Sequence, residues 1–377
     1  MNDYKIVSLI KDLISIPSYV TEDNNENKIV DFIYKWLKDN SNAKVEKQLI
    51  PGGRFNLIVK KGKPEVVFLA HTDTVNVSQN AKFNQLEPRE YRKQIWGRGA
   101  TDMKSGVASL MIAISEASRS NNFWAFFYAD EEYDFLGMKE LIKKYGYLKP
   151  KLIISADGSD LQIGHGCRGL IEMTLRIKGE TGHPAKGTGN SAIWGTYECL
   201  SLLKSFLNKY SHQIMGTTSF NLAYVLGGAE ISKSILENKL VDVGKAGNVI
   251  PDICEFTIDV RPANSDLNSK IIIKFLVSEF RKLKLNMDVV EIKHDLGAWY
   301  SSESEIKNFI NNKNKFSDCK KTGYLDLQMF WDKVGRPPAF MFGGGIGDTA
   351  HKSDERIKIK DLFITKNFFS NFMQKLK

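Results

Sequence analysis

The sequence predicts an α/β chain: a mixed, mostly parallel sheet covered by helices, with a smaller α+β unit inserted into it. Three observations carry this. Short apolar runs without polar interruption alternate with amphipathic helices in the first part of the chain, the pattern of strands buried on both faces. Near residue 168 the pattern switches to strict alternation. After about residue 292 helices, a short apolar strand and a glycine-rich turn resume. At 377 residues the chain is too long for one ordinary core. The expected domains are 1–168 with 292–377, and 169–291.

Residues 1–16 space their apolar positions as an amphipathic helix that ends before Pro17; Lys11 and Asp12 break any signal-peptide core. Ile29, Val30, Ile33, Trp36 and Leu37 line one face of a second helix. Strands follow at 55–60 and 66–70. Val107, Leu110, Met111 and Ile114 mark a helix over 104–118. Next come a strand at 123–129, a helix near 134–145 and a strand at 152–156. In 171–178, Ile171, Met173, Leu175 and Ile177 alternate with Glu172, Thr174, Arg176 and Lys178, which predicts a half-exposed strand. A helix at about 189–209, strands at 219–226 and 254–261, a helix at about 266–284 and a strand at 286–293 complete a ferredoxin-like order. A strand at 339–342, a glycine turn and a C-terminal helix end the chain.

Composition excludes several classes. An apolar share of 42% and a charged share of 26% are those of a soluble globular protein, and the apolar runs are strand-sized, so no membrane span or membrane partner is expected. Cys167, Cys199, Cys254 and Cys319 are widely spaced and form no C-x-x-C pair, as in reduced cytoplasmic proteins. The net charge of +9 is spread over lysines along predicted helices, without the aromatic-basic pattern of a nucleic-acid module. It reads as a solvated surface, so no nucleic-acid partner is expected.

The chemistry gathers where apolar strands stop. LAHTDTV ends a strand with His71 and Asp73. WGRGATDMKSG places Asp102 before a helix, where it is suited either to ligate or to cap that helix. YADEEYDFLG puts Asp130, Glu131 and Glu132 directly after a strand. These charges repel unless a cation neutralises them, although an acidic helix N-terminus is the alternative. SADGSD offers Asp157, and GDTAHKSDE offers His351 after the Gly343-Gly344-Gly345 turn. Open α/β sheets collect their sites at the carboxyl ends of strands. The set is sufficient for two metals sharing a carboxylate, with one glutamate left as a base.

These motifs, with TGHPA, GNVIP and DVRP, occur in the order seen in the di-zinc amidohydrolases and exopeptidases. The chain resembles that family over nearly its whole length. It includes acetylornithine deacetylase, succinyl-diaminopimelate desuccinylase, carboxypeptidase G2, aminoacylase and dipeptidases. The resemblance implies a zinc-exopeptidase-like catalytic domain with an inserted lid and dimerisation domain. It implies that His71 and Asp157 hold one metal, Glu132 and His351 the other, and that Asp102 bridges them. Asp73 would orient His71, and Glu131 would be the general base. His183 would stabilise the oxyanion, often across a dimer, while Arg261 and Asn248 would hold the substrate carboxylate and Gly344 would contact substrate. Asp157 departs from the family's commoner Glu-Pro pair, and Gly-His-Pro-Ala from Gly-His-Ser-Ala, which leaves the substrate open.

The reading is a cytoplasmic, homodimeric hydrolase with two divalent metal ions, zinc first, cobalt or manganese as alternatives. It would cleave the amide of an N-acyl amino acid or of a short peptide bearing a free carboxylate. A dipeptidase or carboxypeptidase of the same family is the first alternative. A non-catalytic metal-binding scaffold is the second, and the intact Glu131 argues against it.

Overall fold

The computed structural model of the protein describes residues 2–310, 313–320, 324–345 and 347–376. Two units divide the chain: Met1–His165 with Ser301–Asp318 and Leu325–Lys377, and Gly166–Tyr300 with Cys319–Tyr324.

The first unit is built on a six-stranded sheet. Its order is Lys44–Ile50, Arg54–Lys61, Phe123–Tyr128, Val66–His71, Leu152–Ser155 and Ala339–Met341. The last four strands run parallel and the first two are antiparallel additions at one edge. The uninterrupted run FWAFFY follows from burial on both faces. Phe123 packs edge-on against Phe68, beside the helices Lys104–Glu116 and Ile359–Lys375. Phe126 points the other way, stacking on Tyr145 at 5.3 Å and meeting Phe330 at 5.7 Å. Strand Lys44–Ile50 was not expected from the sequence, because its charged residues mask a weak alternation.

The parallel strands end at Tyr128, His71, Ser155 and Met341. Every acidic motif predicted above leaves the sheet from one of these ends, or from the loop before Lys104–Glu116. That helix lies against the segment after strand Leu152–Ser155. A Cβ built on Gly106 would sit 1.9 Å from the carbonyl oxygen of Ala156.

The second unit runs Leu170–Lys178, helix Ala192–Leu207, Ser219–Gly228, Ile253–Arg261, helix Ser269–Lys282, Asn286–Leu296. The strands form one antiparallel sheet in the order second, third, first, fourth, which is ferredoxin-like. Both helices start three residues later than the sequence pattern suggested, and the caps explain it. The Ser191 side chain accepts from Trp194 N, and that of Asn268 from Ile271 N. Ile171, Met173, Leu175 and Ile177 face the helices as expected. The other face of that strand is only partly open, with Lys178 exposed and Glu172 half-buried. Arg176 is buried, its guanidinium paired with Glu255 at 2.9 and 2.6 Å, and Thr174 bonds Thr257 across the sheet. Leu170–Lys178 is also an inner strand, so the sheet's free edges are Ser219–Gly228 and Asn286–Leu296.

Gly106→Ala is expected to destabilise the first unit by about 1–3 kcal/mol, the usual cost of overpacking a tight contact. Denaturant melts compared with the wild type measure this, and an unchanged midpoint would show that helix and segment part without penalty.

Candidate metal centre

His71 is the last residue of its strand and is buried, as is Asp73. The imidazole Nδ1 lies 3.2 Å from the Asp73 carbonyl oxygen and 3.5 Å from its Oδ1. With Nδ1 donating there, Nε2 is left as the atom able to take a metal. The Asp73 carboxylate accepts from the backbone N–H groups of Glu131 (3.1 Å) and Glu132 (2.9 Å). One side chain therefore aligns the histidine loop with the glutamate loop.

Asp102 does not cap the helix that follows it. The capping position is Met103, which makes no side-chain bond to the helix N-terminus. Asp102 instead turns one oxygen to each histidine: Oδ1 is 3.0 Å from His71 Nε2, and Oδ2 is 3.1 Å from His351 Nε2. His351 Nε2 also lies 3.1 Å from Glu132 Oε1. His71, Asp102 and Asp157 each offer a ligand atom within 4.8 Å of the others, and so do Asp102, Glu132 and His351. A third such trio, His71 with Glu131 and Glu132, sets Glu131 beside both groups. His351 has φ of +63°, a conformation uncommon outside glycine that is held here where the side chain meets two carboxylates.

Two supporting residues, Glu355 and Asp326, were not singled out from the sequence, and a third, Asp130, takes a different place from its neighbours. Glu355, buried, takes Arg98 Nη1 and Gly99 N on Oε2, and Thr101 N and Asp102 N on Oε1, all at 2.8–3.1 Å. It holds the loop that presents Asp102. Asp130, grouped with the glutamates by sequence, turns away from them. It accepts from Arg54, Asp134 N and Leu136 N, and Arg54 also pairs with the fully buried Glu26. Asp326 is buried and accepts from the Tyr128 hydroxyl at 2.7 Å, while the Tyr128 ring stands 6.5 Å from that of His71. Glu355 closes a quoted motif, and Asp130 has φ of +72°, a turn geometry that aspartate tolerates. Nothing in the sequence around Asp326 marks it.

Gly344 is buried in the turn before His351, its backbone against Asp361 and Thr365. His183 and Asn248 lie on adjoining turns of the second unit, linked by Ile250 N donating to Gly182 O. Ala185 N donates to His183 Nδ1, so the neutral ring carries its proton on Nε2 and offers it outward. Arg261 is elsewhere. It ends the strand that begins at Ile253 beside these turns, eight steps of about 3.3 Å away, or roughly 26 Å. Asn248 and Arg261, expected to share one carboxylate, are not brought together within the unit.

Burial raises the Glu131 acid well above its ordinary range, and burial also raises Glu132. Burial, reinforced by Asp102, pushes Asp157 up to about 7, and burial does the same to Asp326. Burial opposes the charge on Asp102, yet His351 and His71 hold it below the usual carboxylate range. Contacts with Asp102 and Glu132 raise His351 to about 10. Burial opposes the charge on His71 too, but Asp102 and Asp73 raise it well above normal. The cluster thus holds more negative charge than it can carry alone. Imidazole nitrogens and carboxylate oxygens are the donors that zinc and related divalent ions take, so these residues fit two such cations.

The sign of the pH response follows. Carboxyls raised in the folded chain stabilise it while protonated, and that contribution is lost as pH rises from about 4.5 towards 7. The raised histidines act in the same direction above 6.5. Metal-free protein should therefore lose stability between pH 4.5 and 7. Added zinc should restore it, with protons released on binding. Melts at several pH values and calorimetric zinc titrations in two buffers check both. A metal-free melt that rises across this window, or binding without proton release, would contradict the charge assignment.

Residues 67–375 match the model of peptidase family M20/M25/M40. The chain is 23% identical over 370 residues to an acetylornithine deacetylase of Pasteurella multocida, covering 93% of this chain and 91% of that protein. Its fold is similar to that of aminopeptidase PepT from Bacillus cereus, with a TM-score of 0.72 at 18% identity and coverage of 100% and 99%. It is also similar to the Bacillus subtilis YXEP protein, described as a dinuclear metal-binding peptidase, with a TM-score of 0.67 at 13% identity and coverage of 98% and 97%. No described helix is long and apolar enough to cross a membrane. The chain belongs to peptidase family M20/M25/M40, metallopeptidases and amidohydrolases that act on amide or peptide bonds.

Proposed function

We propose that the protein is a two-metal hydrolase that cleaves the amide bond of N-acyl amino acids or of short peptides bearing a free carboxylate. The observation that carries this reading is the Asp102 carboxylate, with one oxygen at each histidine and membership of two separate ligand trios. His71 and Asp157 would hold one cation, Glu132 and His351 the other, and Asp102 both. Zinc suits this donor set best, with cobalt or manganese as alternatives. Bound divalent cations supply Lewis acidity, which acidifies water and polarises the amide carbonyl. Glu131, whose carboxylate lies beside His71 and Glu132, takes the proton of the attacking water and passes it to the leaving amine. Asp73 keeps His71 and both glutamates in register. Arg261 recognises the substrate carboxylate. Asn248 and Gly344 remain candidate substrate contacts through the resemblance alone. A cytoplasmic setting fits the four buried cysteines, among which the described residues form no disulfide.

Cleavage of dipeptides or of C-terminal residues is the second reading. It is favoured by Asp157 standing where the deacylases more often carry Glu-Pro. Hydrolysis of N-acetyl and N-succinyl amino acids beside dipeptides by the zinc-loaded protein separates the two. Glu131→Gln should keep metal and fold while losing ~10²–10⁴-fold in turnover. A variant with most of the wild-type rate would move the base to another residue.

Homodimerisation through the second unit belongs to the same proposal. It is supported by the separation of His183 from Arg261 along a single strand, since two chains are needed to bring both to one substrate. The helix Ala192–Leu207 also exposes Trp194 (66%) and Tyr197 (64%), beside the outer strand Ser219–Gly228 with Leu222 and Val225 uncovered. Mixing His183→Ala chains with Glu131→Gln chains should recover activity that neither has alone, because one site of the mixed dimer is then complete. Strictly monomeric sedimentation would rule this arrangement out.

A further inference from the structure

Arg261 is not a bare guanidinium. Its Nε lies 2.7 Å from Asp259 Oδ1 and its Nη2 lies 2.8 Å from Asp259 Oδ2, a two-point pair along one edge of the fork. The two residues are two apart on one strand, so their side chains share a face of the sheet. The Tyr324 ring stands against the guanidinium at 5.9 Å. Nη1 has no partner among the described residues. The pair is partly open, with 40% of the Arg261 side chain and 22% of the Asp259 side chain exposed. An ion pair so exposed adds little to stability. What it does supply is orientation. A guanidinium offers carboxylates two usable edges, Nε with Nη2 and Nη1 with Nη2. Asp259 occupies the first.

We propose that Asp259 is a positioning residue for substrate recognition: it takes the inner edge of Arg261, so that the Nη1/Nη2 edge is the one presented to a substrate carboxylate. This rests on the reading of Arg261 as the carboxylate-binding group and adds how that group is aimed. Arginine and aspartate together carry no net charge. Recognition then depends on the planar geometry of the remaining edge, and a ligand that cannot accept two parallel N–H bonds is refused. Removing the Asp259 charge has two opposite effects. It relieves repulsion of an incoming carboxylate, and it frees the guanidinium to swing. Among the described residues only the Tyr324 ring otherwise meets the guanidinium, so the loss of alignment dominates.

The experiment uses the zinc-loaded, full-length enzyme. Its probes are the N-acetyl amino acid or dipeptide it hydrolyses fastest and the same compound with its carboxylate amidated. Asp259→Asn should raise KM for the free acid about tenfold with kcat changed far less, because an amide nitrogen facing Nε or Nη2 breaks the two-point pair. The amidated probe should suffer a much smaller rise. In an Arg261→Ala background the Asp259→Asn change should add nothing further. An equal loss on both probes, a persisting loss without Arg261, or tighter binding of the free acid would each overturn the positioning role. The last would make Asp259 a competitor for the fork. Arg261→Ala alone tests the reading beneath. If it fails to discriminate acid from amide, carboxylate recognition by Arg261 is wrong. If it discriminates and Asp259→Asn does not, only the positioning inference falls.

Discussion

The carboxylates of Asp102, Glu131, Glu132 and Asp157 converge where parallel strands end, and their mutual repulsion is the constraint that the surrounding structure answers. Left in water these groups would separate. Here burial and crowding raise three of the four, while the two histidines draw Asp102 the other way. A cluster of this kind is held by covalent and hydrogen-bonded framing, not by its own attraction. Its stored repulsion becomes affinity when divalent cations enter.

Much of the framing is itself anionic, and Glu355, Asp73 and Asp130 are engaged on both oxygens, whereas Asp326 uses one oxygen on the Tyr128 hydroxyl. Glu355 spends both oxygens on four donors of residues 98–102. Asp73 takes the two backbone N–H groups of the glutamates, and Asp130 takes two more with Arg54. A carboxylate satisfied by backbone donors fixes a loop more firmly than a side-chain pair does, because the donors cannot rotate away. This separates two kinds of acid that look alike along the chain. Acids saturated by donors are scaffold, and acids left facing one another and the histidines are the ones proposed as ligands or base.

That distinction explains what was legible beforehand. Strands buried on both faces announce themselves as unbroken apolar runs, so the positions of His71, Glu131, Glu132 and Asp157 at strand ends could be read directly. Asp130 could not be told from its neighbours, since only the fold reveals that Arg54 claims it. The capping reading of Asp102 was reasonable from the helix after it, but histidines from residues 71 and 351 outcompete the helix N-terminus. Strict alternation in 171–178 identified the buried face. It could not show that the strand is interior, because pairing on both sides depends on segments far along the chain. Arg176 shows the same limit: its polar position suggested solvent, and Glu255 across the sheet buries it.

The second unit adds a constraint of length. Its strand Ile253–Arg261 runs from beside the turns bearing His183 and Asn248 to Arg261, a length of roughly 26 Å that an extended strand cannot shorten. A substrate the size of an acyl amino acid spans far less. If His183 donates to the oxyanion while Arg261 grips the carboxylate, the two groups must come from different copies of the sheet. The outward Nε2–H of His183 suits such a role, because a ring whose Nδ1 is tied to its own turn has its donor free for another chain. On the proposed reading, dimerisation is then part of the catalytic apparatus, and dilution would remove transition-state stabilisation while leaving both metal centres in place.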